Sequence, residues 1–187
     1  MMTDSRSDMW IEAALAEIGK SGIDGVRVEV LAKNLGITKG GFYRRFKDRR
    51  ALFDALLETW ARGRIAALER QIESGGHNAR DQLKSLIKLY SERVNPEGMA
   101  IELAMRQWAR SDATAFAAVS SVDAARLNIV ERLYRKLGMA SADAQAQAVL
   151  FYSFIFGQSL LFLGTASRKK ASLIAACADT LTEVKAG

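Results

Sequence analysis

A chain of 187 residues, 49% hydrophobic and 26% charged, carries enough apolar material for one large domain or a small domain joined to a medium one, which excludes a disordered or fibrous protein. A single cysteine, Cys177, excludes an internal disulfide framework, and one histidine, His77, leaves no clustered set of soft ligands, so neither a metal nor a cofactor is expected. The net charge of +6 is concentrated between positions 33 and 50, where seven cations face one anion, Asp48; that is either a solvated helix face or a polyanion site.

The opening residues, "MMTDSRSDMW", contain no basic stretch leading into an apolar one, and a cytoplasmic protein is expected. With one proline and almost no alternation of period two, the chain reads as all-helical. Ile11, Ala14, Leu15 and Ile18 share one helical face, with Ser7 or Asp8 as the N-cap and Gly22 as the stop. Leu31, Ala32 and Leu35 predict a short second helix ending at Gly36, and Thr38 is placed to cap a third over 39–46. Two short helices separated by "GIT" make a helix-turn-helix. Asp48 then caps a longer fourth helix, about 49–73, whose stripe is Leu52, Phe53, Leu56, Leu57 and Trp60.

The run "ESGGHNARD", 73–81, is the clearest break. Leu83, Leu86, Ile87 and Tyr90 mark a fifth helix ended by "NPEG" at 95–98, and a sixth is expected over about 99–110. A helical stretch over 113–137, kinked or divided near "SSVD", is closed by Gly138. Positions 144–167 carry no formal charge, a length that by itself could span a bilayer. Gln145, Gln147, Ser153, Gln158 and Ser159 within it favour instead a central or interfacial helix, and no membrane partner is expected. A last helix, about 168–183, is apolar at Leu173, Ile174, Cys177 and Leu181.

Residues 37–53, "ITKGGFYRRFKDRRALF", carry the chemistry. In a helix starting at Lys39, Phe42 and Phe46 point together into a small core. Lys39, Gly40, Gly41, Tyr43, Arg44 and Arg45 then occupy the remaining surface, small at its amino-terminal end and cationic at the other. Each glycine costs a helix about 1 kcal/mol relative to alanine, so two in succession call for a reason. Relief of crowding at a tight turn is one; close approach to another surface is the other. A recognition helix in the DNA major groove needs small residues for entry, Lys39 and Arg44 for base edges, and Tyr43 and Arg49 for phosphates. The free N–H groups opening the fourth helix offer a further phosphate seat.

The run "LAKNLGITKGGFYRRFKDRRALFDALL", 31–57, resembles the DNA-binding signature of the TetR family of bacterial transcriptional regulators, and "RQWARSD", 106–112, resembles a segment common in one branch of it. The resemblance implies an all-α subunit of about nine helices, with a three-helix DNA-binding domain at 1–50 and a ligand-binding and dimerisation domain at 51–187, linked by the fourth helix. It also implies a homodimer through the last two helices on a palindromic operator, double-stranded DNA, most often as a repressor. By position, Thr38, Tyr43 and Arg49 match phosphate-contacting or capping places, and Lys39, Gly40, Gly41, Arg44 and Arg45 match places that face the groove. Four residues depart from the pattern: Val28 stands where threonine is frequent, Glu29 would repel a phosphate, leaving Arg27 as a substitute, and Arg45 and Arg49 stand where histidine and lysine are usual, keeping or adding positive charge.

The resemblance further implies a cavity for a small-molecule effector, for which Tyr90, Met105, Trp108 and Phe151 are the candidates, although apolar residues at helical spacing more often build a core. Glu102 and Arg106, four apart, either pair on the helix surface or, where one faces inward, bias the cavity towards a cation or an anion respectively. Leu57 and Trp60 are positions where effector binding would be transmitted along the fourth helix. The other classes are weaker. Paired carboxylates or a nucleophile with its base are missing from the pattern, so no enzyme is expected. A DNA-binding dimer without a sensor remains the alternative.

Overall fold

A computed structural model describes residues 5–92, 96–161 and 168–183, and among them the chain is all-α, with nine α-helices and one 3-10 turn. The helices are α1 (Ser5–Ser21), α2 (Val28–Leu35), α3 (Lys39–Tyr43), α4 (Arg49–Ser74), α5 (Ala79–Glu92), α6 (Pro96–Trp108), α7 (Ala113–Lys136), α8 (Ser141–Leu161) and α9 (Arg168–Thr182). They divide into two compact units: Met1–Arg64 with Asn95–Val122, and Ile65–Val94 with Asp123–Gly187.

In the first unit, Trp10, Ile11, Ala14 and Ile18 of α1 are buried. Each large apolar side chain removed from water contributes about 1.5–3 kcal/mol. Helix α1 begins at Ser5, so Ser7 and Asp8 lie inside it and neither is the N-cap. It stops at Gly22, whose φ of 70° is left-handed and whose N–H reaches back to Ile18 O at 2.9 Å. Gly19 lets α6 come close, since a Cβ there would stand 3.1 Å from Ile101 Cγ1.

The turn between α2 and α3 is a Schellman motif. Gly36 takes φ 66°, its N–H bonds to Lys33 O at 3.2 Å, and the N–H of Ile37 bonds to Ala32 O at 3.0 Å. The expected helix 39–46 is shorter than its pattern. The α-helix ends at Tyr43, and the N–H groups of Arg45 and Phe46 both converge on Phe42 O, at 2.8 and 3.0 Å, tightening the last turn. Asp48 does cap α4: its Oδ1 accepts the N–H of Ala51 at 2.8 Å. The predicted stripe of α4, Leu52, Phe53, Leu56, Leu57 and Trp60, is buried throughout.

Pro96 starts α6 rather than ending the helix before it, as its fixed φ and missing N–H suit a first helical position; Asn95 lies outside the described residues. Helix α7 runs unbroken through "SSVD". The second unit packs Leu83, Leu86 and Ile87 of α5, Val130, Leu133 and Tyr134 of α7, and Ala148, Phe151 and Ile155 of α8 into one core. Tyr134 donates its hydroxyl to Leu181 O at 2.8 Å, and burial pushes its phenol up to about 12. No described helix is long and apolar enough to cross a membrane; positions 162–167 of the uncharged stretch lie outside the described residues.

Candidate nucleic-acid interface

One ring fixes α3. Phe42 is fully buried and meets Trp10 edge-on at 5.3 Å, Phe46 at 5.5 Å and Tyr43 at 5.1 Å. With Phe42 and Phe46 turned inward, as their spacing predicts, Lys39, Gly40, Tyr43, Arg44 and Arg45 are exposed, and Gly41 is half-buried. Tyr43 packs its ring edge against Phe42 while 62% of the residue stays in solvent.

The glycines of α3 have no internal explanation. Neither has a positive φ. A Cβ on Gly40 would find only Thr38 Oγ1 at 3.7 Å, and one on Gly41 only Ile37 Cδ1 and Trp10 Cζ2 at 3.9 Å, all ordinary contacts. Alanine would therefore fit at both positions and make a better helix. Crowding at the turn is therefore not their reason.

Several predicted residues are engaged otherwise than expected. Thr38 holds the N-cap position with extended backbone and its carbonyl accepts the N–H of Gly41 at 2.9 Å, but its side chain makes no capping bond. Lys39 is bound to Glu29, Nζ to Oε1 at 2.6 Å, between the first turns of α2 and α3. Arg49 turns two nitrogens inward: Nε donates to Val26 O at 2.7 Å and Nη2 to Ile23 O at 2.9 Å, while its guanidinium lies 4.5 Å over the Phe53 ring. It thereby ties the start of α4 to the turn before α2. The α4 N-terminus, expected as a phosphate seat, already spends its Ala51 N–H on Asp48.

Sequence reasoning missed Arg50. Its Nε donates to Asp54 at 2.8 Å, its Nη1 to Asp112 at 2.7 Å and its Nη2 to Thr114 Oγ1. Asp112 also accepts the Ala115 N–H at 2.8 Å as the cap of α7, and that bond, ahead of the one from Arg50, holds its carboxyl below the usual range. The signal was the segment "RQWARSD" itself, whose Trp108 packs on Phe53 at 5.0 Å. Glu102 and Arg106 do pair, at 2.9 Å, but not on the surface: Glu102 is 3% exposed and has Arg64 Nε at 3.7 Å as well.

The four effector candidates fall in both units. Met105 and Trp108 are buried in the first, and in the second Phe151 is buried between Tyr134 and Tyr152, with Tyr90 half-buried at the edge of the core. Among the described residues no group of three histidine, cysteine, aspartate or glutamate side chains could hold a metal ion.

Known proteins resemble this chain both over the helix-turn-helix region and across the fold. Residues 11–56 match the family of bacterial regulatory proteins, tetR family. Over 57 residues the chain is 39% identical to the tetracycline repressor protein class A from transposon 1721 of Escherichia coli, a match that covers 30% of this chain and 26% of the repressor's length. The fold as a whole is similar to that of reduced Escherichia coli NemR, with a TM-score of 0.81, 16% identity and coverage of 97% and 100% of the two chains. It is also similar to FadR from Bacillus subtilis in complex with stearoyl-CoA, with a TM-score of 0.69, 17% identity and coverage of 94% and 97%. Residues 11–56, which include the helix-turn-helix, are thus similar to a tetR-family DNA-binding domain.

Proposed function

We propose that this chain, a regulator with a tetR-family DNA-binding domain, binds a palindromic operator in double-stranded DNA as a homodimer and acts as a repressor relieved by a small-molecule effector. The observation that carries the reading is Gly40 and Gly41: two helical glycines that the fold does not need, flanked by exposed Tyr43, Arg44 and Arg45. Such a surface suits entry of a helix end into the major groove, with cations on either side for phosphates. We assign Lys39, Gly40, Gly41, Arg44 and Arg45 to the groove and Thr38, Tyr43 and Arg49 to the backbone. Thr38 has a hydroxyl not spent on capping, whereas Arg49 has only part of its guanidinium to offer.

Dimerisation through the last two helices is supported by α8 and α9. Helix α8 buries Ala144, Ala148, Phe151 and Ile155 on one side and exposes Val149, Leu150 and Leu160 elsewhere, and α9 exposes Leu173. A second copy would cover them. Residues 1–50 then read DNA in the cytoplasm while 51–187 dimerise and sense; no catalytic step is involved. Of the effector candidates, Tyr90 has surface and a hydroxyl to offer, whereas Met105, Trp108 and Phe151 are held by packing. That full burial also favours a second reading, a DNA-binding dimer with no sensor.

Selection from a random duplex pool, followed by a salt titration on the enriched and a scrambled duplex, tests the reading. Preference for a palindrome with steep salt dependence supports it, and equal affinity for both duplexes overturns it. A ligand that raises the melting temperature and releases DNA would separate the sensor from the sensorless dimer.

A further inference from the structure

Glu29 is out of place on a surface meant for phosphates. It lies in the first turn of α2, against Lys39 and with Arg27 nearby, and more than half of its side chain is in solvent. Its partner Lys39, first residue of α3, is equally exposed. An exposed pair of this kind adds little to folding, because water screens it and two long side chains must be held still. The bond from Lys39, followed by one from backbone N–H at Glu29, keeps the carboxyl below its usual range, so the carboxylate is charged near neutral pH. A fixed anion there weakens attraction to any DNA, whatever the sequence. Its compensation must come from bases.

Resting on the reading of this surface as an operator-binding one, we propose that Glu29 and Lys39 act as a single donor–acceptor unit that reads one G·C base pair in the major groove. Lys39 Nζ donates to guanine O6 and N7, and a Glu29 carboxylate oxygen accepts from the cytosine N4 amino group. Guanine O6 and cytosine N4 are hydrogen-bonded to each other across the pair, so they present an acceptor and a donor side by side. An ammonium and a carboxylate already in contact at 2.6 Å match that spacing. An A·T pair also sets a donor beside an acceptor, but thymine O4 stands next to the C5 methyl and gives Lys39 one acceptor where guanine gives two. Glu29 also holds the lysine off the phosphates, which would otherwise take it without regard to sequence. Glu29 is thus a specificity-determining residue, and a repulsive element against wrong sites as well as an attractive one for the right site.

The test compares the full chain with Glu29→Gln, Glu29→Ala and Lys39→Met, by selection from a random duplex pool and then by affinities on single-base variants of the enriched duplex. Both positions are exposed, and melting curves check that folding is unaffected. The wild type is expected to demand G·C at one position of each half-site. Both Glu29 variants should lose about tenfold discrimination at that position only, while binding a scrambled duplex more tightly. Lys39→Met should lose the same preference without gaining scrambled-duplex affinity. Glu29 variants that bind every duplex more tightly by one factor, with the base preference intact, would reduce Glu29 to a repelling charge and overturn the proposal. A wild type that enriches no sequence would overturn the operator reading itself and this unit with it; a wild type that is selective but insensitive at this position overturns the unit alone.

Discussion

The surface of α3 and the core of the second unit follow opposite rules. In the core around Tyr134 and Phe151, each residue is what packing demands: Phe151 is fully buried, Tyr134 meets it edge-on and spends its hydroxyl on Leu181, and no further reason for them is needed. On α3 the residues are what packing would avoid. Two helical glycines that no neighbour crowds, a tyrosine 62% exposed and two successive exposed arginines are not choices that stability favours. Where sequence and stability disagree, the disagreement indicates a partner; where they agree, function cannot be read from the residues at all.

That contrast is easiest to break with truncations. Phe151→Ala should cost the fold about 3–5 kcal/mol in a denaturant titration, with DNA affinity per folded molecule unchanged. A small cost would mean a loosely filled space and would return Phe151 to the effector candidates. Arg44→Ala should do the reverse: leave the melting curve in place and weaken operator binding by about 1–3 kcal/mol, with altered base preference. Next in size, Gly40→Ala and Gly41→Ala should each stabilise the fold by about 1 kcal/mol while weakening operator binding. The opposed signs are the sharpest expression of the contrast, and stabilisation with unchanged binding would remove it.

A pH titration probes the core alone. Because burial raises the Tyr134 phenol to about 12 from an ordinary 10, the folded state holds this proton more tightly than the unfolded one. Its contribution is complete below pH 10 and lost as pH rises through 12, and Tyr134→Phe should flatten the decline in that window. The smallest effect is expected at Asp112→Asn, where exposed Arg50 loses one charged partner. Stability should barely move, and any change in operator affinity would show that the corner between α6 and α7 helps to hold the reading head.

The helices themselves were legible because periodicity and caps are local: Phe42 with Phe46, the stripe of α4, Gly36 in its left-handed turn and Asp48 as cap all came from spacing of a few residues. So was the cationic surface of α3. What escaped the sequence are contacts that only folding creates. Arg49 reads as one more outward cation, yet its carbonyl partners Ile23 and Val26 belong to another turn. Glu29 reads as a repelling charge, yet it meets Lys39 across two helices. Glu102 has the i, i+4 spacing of a surface pair and is buried, because Arg64 from α4 joins it. Thr38 has a capping residue's identity and position without the bond, since identity alone does not set its rotamer.

The anchoring of α3 by the ring of Phe42 has a consequence for how such a protein acquires new targets. Lys39, Gly40, Arg44 and Arg45 stand on the opposite side from that ring, so their exchange leaves the aromatic anchor untouched. On the proposed operator reading, a descendant chain can drift at these addresses and be tested against new sites while the Phe42 anchor is kept. The reading head behaves as a label holder: the label is rewritten, and the holder is inherited.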